Sequence, residues 1–226
     1  MTHDQDSAAD ALLTPLEARV IACLMEKQRT TPDQYPLTLN GLVSACNQKS
    51  ARHPVMNLTP GEVGHTLNRL RDRGLIHASL NGRTERYDHK LVGTFFLSRE
   101  EQALLCVLIL RGPQTPGELR NNSAPLAEFA DRDAVAKTLR GLAARDQSLV
   151  VELPRLPGRR EERYAHLLCG QPSADDLADR TATAASSSPD TTQDGRIEAL
   201  EAEIADLRRD LDRLWELTGL AARREV

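Results

Sequence analysis

The feature that most constrains this chain is that it is written twice. GRTERYDH at residues 82–89 returns as GRREERYAH at residues 158–166, and the likeness is not confined to those strings. TPLEARVIACLMEK, from Thr14, aligns without a gap to SREEQALLCVLILR, from Ser98. TLNGL, from Thr38, aligns to TPGEL, from Thr115, and EVGHTLNRLRDRGL, from Glu62, aligns to AVAKTLRGLAARDQ, from Ala134. Self-similarity that keeps its order over several segments marks a duplicated structural unit. Whatever one copy folds into, the other must fold into as well, and the spacing predicts two units of about 70–80 residues each.

The helix starts are legible. Thr14, Thr59, Ser98 and Thr115 each stand three residues before a glutamate, namely Glu17, Glu62, Glu101 and Glu118. That is the capping-box spacing, in which each side chain satisfies an orphan backbone N–H of the first turn. In three of the four a proline follows the cap, where its missing N–H costs nothing. Apolar residues then recur at helical spacing: Leu16, Val20, Cys23 and Leu24 in the first helix, Leu104, Leu105 and Leu108 in its duplicate. The third helices share one stripe, Val63, Leu67 and Leu70 against Val135, Leu139 and Leu142. Each runs into a β-like segment at residues 75–78 or 149–152, then a turn containing Asn81-Gly82 or Pro157-Gly158, then a return strand around Tyr87 or Tyr164. Three helices followed by a hairpin make a winged helix, and the repeated string is its wing. Tyr87 and Tyr164 are read as core anchors, His89 and His166 as strand-end residues.

The expected fold is therefore mainly α with small β-hairpins, an α+β chain. It places a disordered tail at residues 1–11, one winged-helix domain at 12–92 and a second at 93–170. Residues 171–195 are rich in Ser, Thr, Ala and Asp with no apolar period, and read as a disordered linker. Within residues 196–220, Ile197, Leu200, Ile204, Leu207, Leu211 and Leu214 alternate three and four apart. Ile or Leu at one core position and Leu at the other favours a parallel two-stranded coiled coil, and hence a homodimer. The flanks agree: across such a pair Arg196 faces Glu201 and Glu203 faces Arg208. An amphipathic helix folding back onto the body is the other reading.

Composition narrows the classes. Aromatics make up 3 % of the chain, so the cores must be built from Leu, Val, Ile and Ala, which suits helices. Cys23, Cys46, Cys106 and Cys169 lie far apart with no zinc-site spacing, and read as buried thiols of a reducing compartment. The start is acidic and polar, and the longest apolar run, residues 103–110, is too short to span a bilayer. A cytoplasmic protein with no membrane partner is expected. The net charge of −4 conceals its distribution. Residues 14–90 hold eleven basic against seven acidic side chains and residues 95–170 eleven against ten, so the acidity sits in the ends and leaves the body open to a nucleic-acid partner.

RTTPDQYPLTLNGLVSACNQKSARHPVMNLTPGEV, RGPQTPGELR and PGRREERYAHLL resemble the YceH-like family of bacterial proteins, over about residues 12 to 170. The resemblance implies a tandem winged-helix fold and carries no established activity with it. Residues 47–50 and 54–58 match the family pattern; His53 departs from it, standing where an acidic residue is usual. The heptad segment lies outside the resemblance.

No catalytic motif is present: no GxSxG elbow, P-loop, HExxH, dinucleotide turn or clustered carboxylates. The chain is read as a non-enzyme without cofactor or metal. A winged helix would lay its third helix in the major groove and its wing along the backbone. The face opposite the apolar stripe presents His65, Asn68, Arg69 and Asp72 in the first copy, and Lys137, Arg140, Gly141 and Ala144 in the second. Arg83 and Arg86, then Arg159, Arg160 and Arg163, supply bases to the wings. The segment at residues 47–57 is longer than a helix–turn–helix connection needs, and its Lys49 and Arg52 suggest a phosphate or partner contact. Ordinary solvated surface is the competing identity for each of these cations.

The leading expectation is a dimeric binder of double-stranded DNA, resembling a transcription regulator, with the first unit the better DNA candidate. Its rival is a protein-interaction scaffold of the kind found in chromosome-segregation complexes, which an uncovered surface on the apolar helix at residues 103–110 would mark. Small-molecule sensing between the units is a third reading.

Overall fold

The structure of the chain is a computed structural model, and it describes residues 12–81, 83–155 and 161–172. The first copy runs α1 (Pro15–Thr30), a 3-10 turn, β1 (Leu37–Thr38), α2 (Leu39–Cys46), α3 (Pro60–Asp72), β2 (Ile76–Asn81) and β3 (Thr84–His89). A short α4 (Leu91–Phe95) leads into the second: α5 (Arg99–Arg111), α6 (Pro116–Ser123), α7 (Arg132–Ala143), β4 (Val150–Leu153) and β5 (Arg163–His166). The chain is α+β, and each copy contributes three helices and then an antiparallel strand pair.

All four Ser/Thr-x-x-Glu signals are complete capping boxes, at the starts of α1, α3, α5 and α6. The other two principal helices use single caps: Thr38 accepts from the Gly41 N–H at 3.2 Å and Asp131 from the Ala134 N–H at 2.8 Å. The first sheet has the order β1-β3-β2, with Leu37 opposite Tyr87 and Ile76 opposite His89. In the second copy β4 pairs with β5, and the isolated bridge from Gln114 to Tyr164 stands where the first copy has Leu37 and Tyr87. Tyr87 and Tyr164 are buried, each with its hydroxyl donating to a glutamate at 2.7 Å, Glu85 or Glu152.

The arginine that precedes each of these tyrosines also has a duplicated task. Arg86 donates to the Pro36 carbonyl at 2.8 Å and Arg163 to the Pro113 carbonyl at 3.0 Å, each tying the return strand to the residue before the bridge. A second duplicated clamp closes the other end of the unit. Arg73, just past α3, pairs with Glu17 at 3.1 Å and donates to the Leu12 carbonyl. Arg145, just past α7, pairs with Glu101 at 2.8 Å and donates to the Phe95 carbonyl at 2.6 Å. In both copies the capping glutamate of the first helix is thereby fixed to the end of the third.

The two copies meet through α1 and α5. Residues 17–25 of α1 and 102–110 of α5 are buried without interruption, because each helix faces its own copy on one side and its duplicate on the other. The thiol of Cys106 donates to the carbonyl of Ala22 at 3.3 Å, and the alignment of Thr14 with Ser98 makes these the same position of the repeat. On one side of that contact Pro15, Ala18 and Arg19 share a cleft with Ile109 and Pro113. On the other, their equivalents Arg99, Gln102 and Ala103 share one with Met25 and Arg29, the equivalents of Ile109 and Pro113. Contacts exchanged in this way between equivalent residues define an antiparallel crossing about a local twofold axis. The expected boundary between residues 92 and 93 falls inside α4, and the described residues belong to one unit.

Candidate functional site

α3 buries Val63, Thr66, Leu67 and Leu70, and α7 buries Val135, Leu139 and Leu142. The residues opposite those stripes are exposed: His65, Asn68, Arg69 and Asp72 on α3, Lys137, Arg140, Gly141 and Ala144 on α7. Their charges are not equally free. Arg69 reaches Glu17 at 3.3 Å, and Arg71 lies 3.5 Å from Glu85 while donating to Asn68 at 2.9 Å. Lys137 and Arg140 make no side-chain hydrogen bond or ion pair among the described residues. Of these two helices it is α7 that carries the uncommitted cations, whereas sequence counting favoured the first copy.

The described arginines of the two repeated strings separate into outward and inward ones. Arg83 is exposed beside the turn. Arg86 and Arg163 point back to Pro36 and Pro113, and Arg163 also reaches Glu118 at 3.0 Å, so both act as clamps instead of free cations. Arg159, Arg160 and the six heptad residues from Ile197 to Leu214 lie outside the described residues.

The segment at residues 47–57 departs furthest from expectation. Its ends are stapled by Asn47, whose amide donates to the Leu58 carbonyl and accepts from the Leu58 N–H, both at 2.8 Å. The His53 N–H donates to the Leu110 carbonyl at the end of α5, 2.7 Å away. Lys49 is exposed, but Arg52 is buried and grips Glu26 of α1 with two bonds of 3.1 and 2.6 Å. Its remaining donors meet the Ala45 and Ala51 carbonyls and Gln48. Arg52 is thus a buried strut and not a phosphate contact. Burial opposes the charge on Glu26, but the hydrogen bonds and charge of Arg52 outweigh it and hold the carboxyl below its usual range. Arg19, in the middle of α1, completes the anchorage by donating to the carbonyls of Cys46 and Pro54 at 3.2 and 2.7 Å. Among the described residues no three His, Cys, Asp or Glu side chains form a metal-binding group, and no helix is long and apolar enough to cross a membrane.

Residues 13–159 match the family described as protein of unknown function, DUF480. The chain belongs to the DUF480 family. It is similar to a UPF0502 protein of Vibrio vulnificus, 46 % identical over 214 residues, covering 92 % of this chain and 97 % of the relative. It is 47 % identical over 214 residues to the UPF0502 protein YceH of Salmonella newport, covering 92 % and 98 %. A UPF0502 protein of Cellvibrio japonicus is 43 % identical over 209 residues, covering 92 % and 96 %. Such coverage reaches past Pro172, so the likeness to these relatives runs beyond residues 12–170, although the DUF480 match itself ends at residue 159. Reading the sequence alone missed Arg19 and Glu26 of the DUF480 chain as structural charges. The available signal was a lone arginine between Ala18 and Val20 inside an apolar run, a residue type that is buried only when its donors are satisfied.

Proposed function

We propose that this DUF480 chain is a non-enzymatic, cytoplasmic tandem winged-helix protein that binds double-stranded DNA, regulates transcription, and dimerises through its C-terminal heptads. The observation that carries the reading is the paired presentation of α3 and α7. Each helix buries one apolar stripe, turns a polar face outward and is followed by a strand pair, the arrangement in which a winged helix offers a reading helix and a wing. On α7, Lys137 and Arg140 make no ion pair or side-chain hydrogen bond among the described residues and are available to phosphates, while Asn68 and His65 on α3 offer groups that hydrogen-bond base edges.

The scaffold reading asked for an uncovered face on the apolar helix at residues 103–110. Those residues are buried, with α1 against them, and that favours DNA over a protein partner at this surface. The step from fold to function is analogy, so the experiment must be direct. Fluorescence polarisation with a random duplex across a salt series, on the full chain and on a chain ending at Gly170, tests it. Low-salt binding that falls steeply with salt, weaker without the heptads, is the expected result. Absence of binding at low salt sinks the DNA reading, and equal binding by both chains sinks the heptad dimer.

A further inference from the structure

Arg19 is a buried charge with no carboxylate. It is 2 % exposed, and its two hydrogen bonds go to backbone carbonyls. Glu17 is engaged by Arg69 and Arg73, and Glu26 by Arg52 and Lys27; no Asp or Glu among the described residues pairs with Arg19. The Cys46 carbonyl ends α2 and brings the partial negative charge of a helix C-terminus, but a dipole is not a counterion. Cys23 lies nearby; burial opposes its ionisation, but a hydrogen bond with Cys46 and the charges of Arg52 and Arg19 outweigh it and hold its pKa below the usual thiol range. Arginine cannot shed its proton to escape the cost of burial.

Arg19 also lines a groove of about 180 Å³ between the two copies, beside Pro54, whose carbonyl its guanidinium holds. The local twofold supplies an internal control. The equivalent cleft, at Met25, Arg29, Arg99 and Gln102, is closed, and the equivalent of Arg19 there is Ala103. A buried arginine and the opening therefore occur together in one of two matching places, since the arginines of the closed cleft, Arg29 and Arg99, are exposed. The opening is built by the segment at residues 47–57, which contributes His53, Pro54 and Met56, facing Ile109 and His166 across the groove. A cavity of about 150 Å³ suffices for a benzene ring, so the space admits a compact body of that size.

We infer that this groove is a binding site for a small organic anion, a carboxylate or phosphate on a compact apolar body, with the anionic group meeting Arg19 and His53 and the body resting on Met56 and Ile109. The site is independent of any DNA contact. It gives residues 47–57 a purpose that their length and their anchorage by Arg52 do not by themselves require.

The test titrates the full chain with benzoate and phenyl phosphate, and with benzamide as a neutral control of the same size. Two-dimensional NMR locates the shifts and thermal unfolding reads stabilisation. Saturable shifts confined to the groove with either anion, and a raised Tm that benzamide does not reproduce, are expected. His53→Asp, at a half-buried position, sets a carboxylate in the groove and should weaken binding by about tenfold or more, since a charged partner loses its net attraction. Arg19→Gln should abolish it; if that chain does not fold, His53→Asp decides alone. No saturable shift with either anion, equal stabilisation by benzamide, or unchanged affinity in a folded His53→Asp chain overturns the assignment.

Discussion

The Cys106 thiol and the Ala22 carbonyl meet at 3.3 Å although they are one and the same position of the repeat. Contact between equivalents is what a rotation axis leaves where two halves cross, and both residues are completely buried there. Ala22→Leu adds three carbons where nothing can give way, and should lower stability by about 1–3 kcal/mol. Urea unfolding should show a lower midpoint with the same slope. The same change at exposed Ala144 should stay within about 0.5 kcal/mol.

Arg52 and Glu26 form a pair in which the guanidinium is wholly enclosed and the carboxylate nearly so. Removing one partner strands the other. Glu26→Gln and Arg52→Met should each cost about 3–5 kcal/mol by chemical denaturation. Lys49→Ala, a few residues from Arg52 but exposed, should cost under about 0.5 kcal/mol. Near-equal effects at Arg52 and Lys49 would mean that the strut does not hold the segment.

His89 is buried at the end of β3, with Nε2 3.1 Å from Gln28. Burial lowers its pKa to about 4, while Asp88 acts to raise it and Lys90 and Arg29 to lower it further. The unfolded chain therefore takes up the proton first. Stability should be full above about pH 6.5 and fall as the pH drops toward about 4, a loss on the order of 3 kcal/mol. Thermal unfolding of the chain and of His89→Gln across this window checks it: the difference between the two should change with pH and level off above about pH 7.

If α7 meets phosphates, Lys137→Ala/Arg140→Ala should weaken binding to unrelated duplexes alike. It should also reduce the slope of log affinity against log salt by about 2, one phosphate contact per cation. Arg86→Ala should instead act on folding, because its guanidinium holds the Pro36 carbonyl. A change in sequence preference without a change in slope would place Lys137 and Arg140 on base edges.

Local chemistry was the readable part. A threonine or serine three residues before a glutamate needs no knowledge of the fold, and all four such starts are present as capping boxes. The third-helix stripes were readable for the same reason, since their period lies within one element. What could not be read depends on partners far along the chain. Arg52 meets Glu26, and Arg19 meets Pro54, across separations that composition cannot signal. The apolar run at residues 103–110 looked like either a core or an open interface, and only the position of α1 distinguishes them. The arginines of the repeated strings show the same limit: one string holds both the exposed Arg83 and the inward Arg86.

The local twofold also governs how the chain can be divided. Partners that meet by diffusion separate on dilution, but α1 and α5 are joined by a peptide chain and remain together at any concentration. A cut within α4 would remove that protection. Residues 17–25 in one fragment and 102–110 in the other would each lose their cover whenever the two fragments separate, and the contact would then depend on their concentration. The link through α4 thus sets the effective concentration of the two halves, and the contact between α1 and α5 owes its permanence to it.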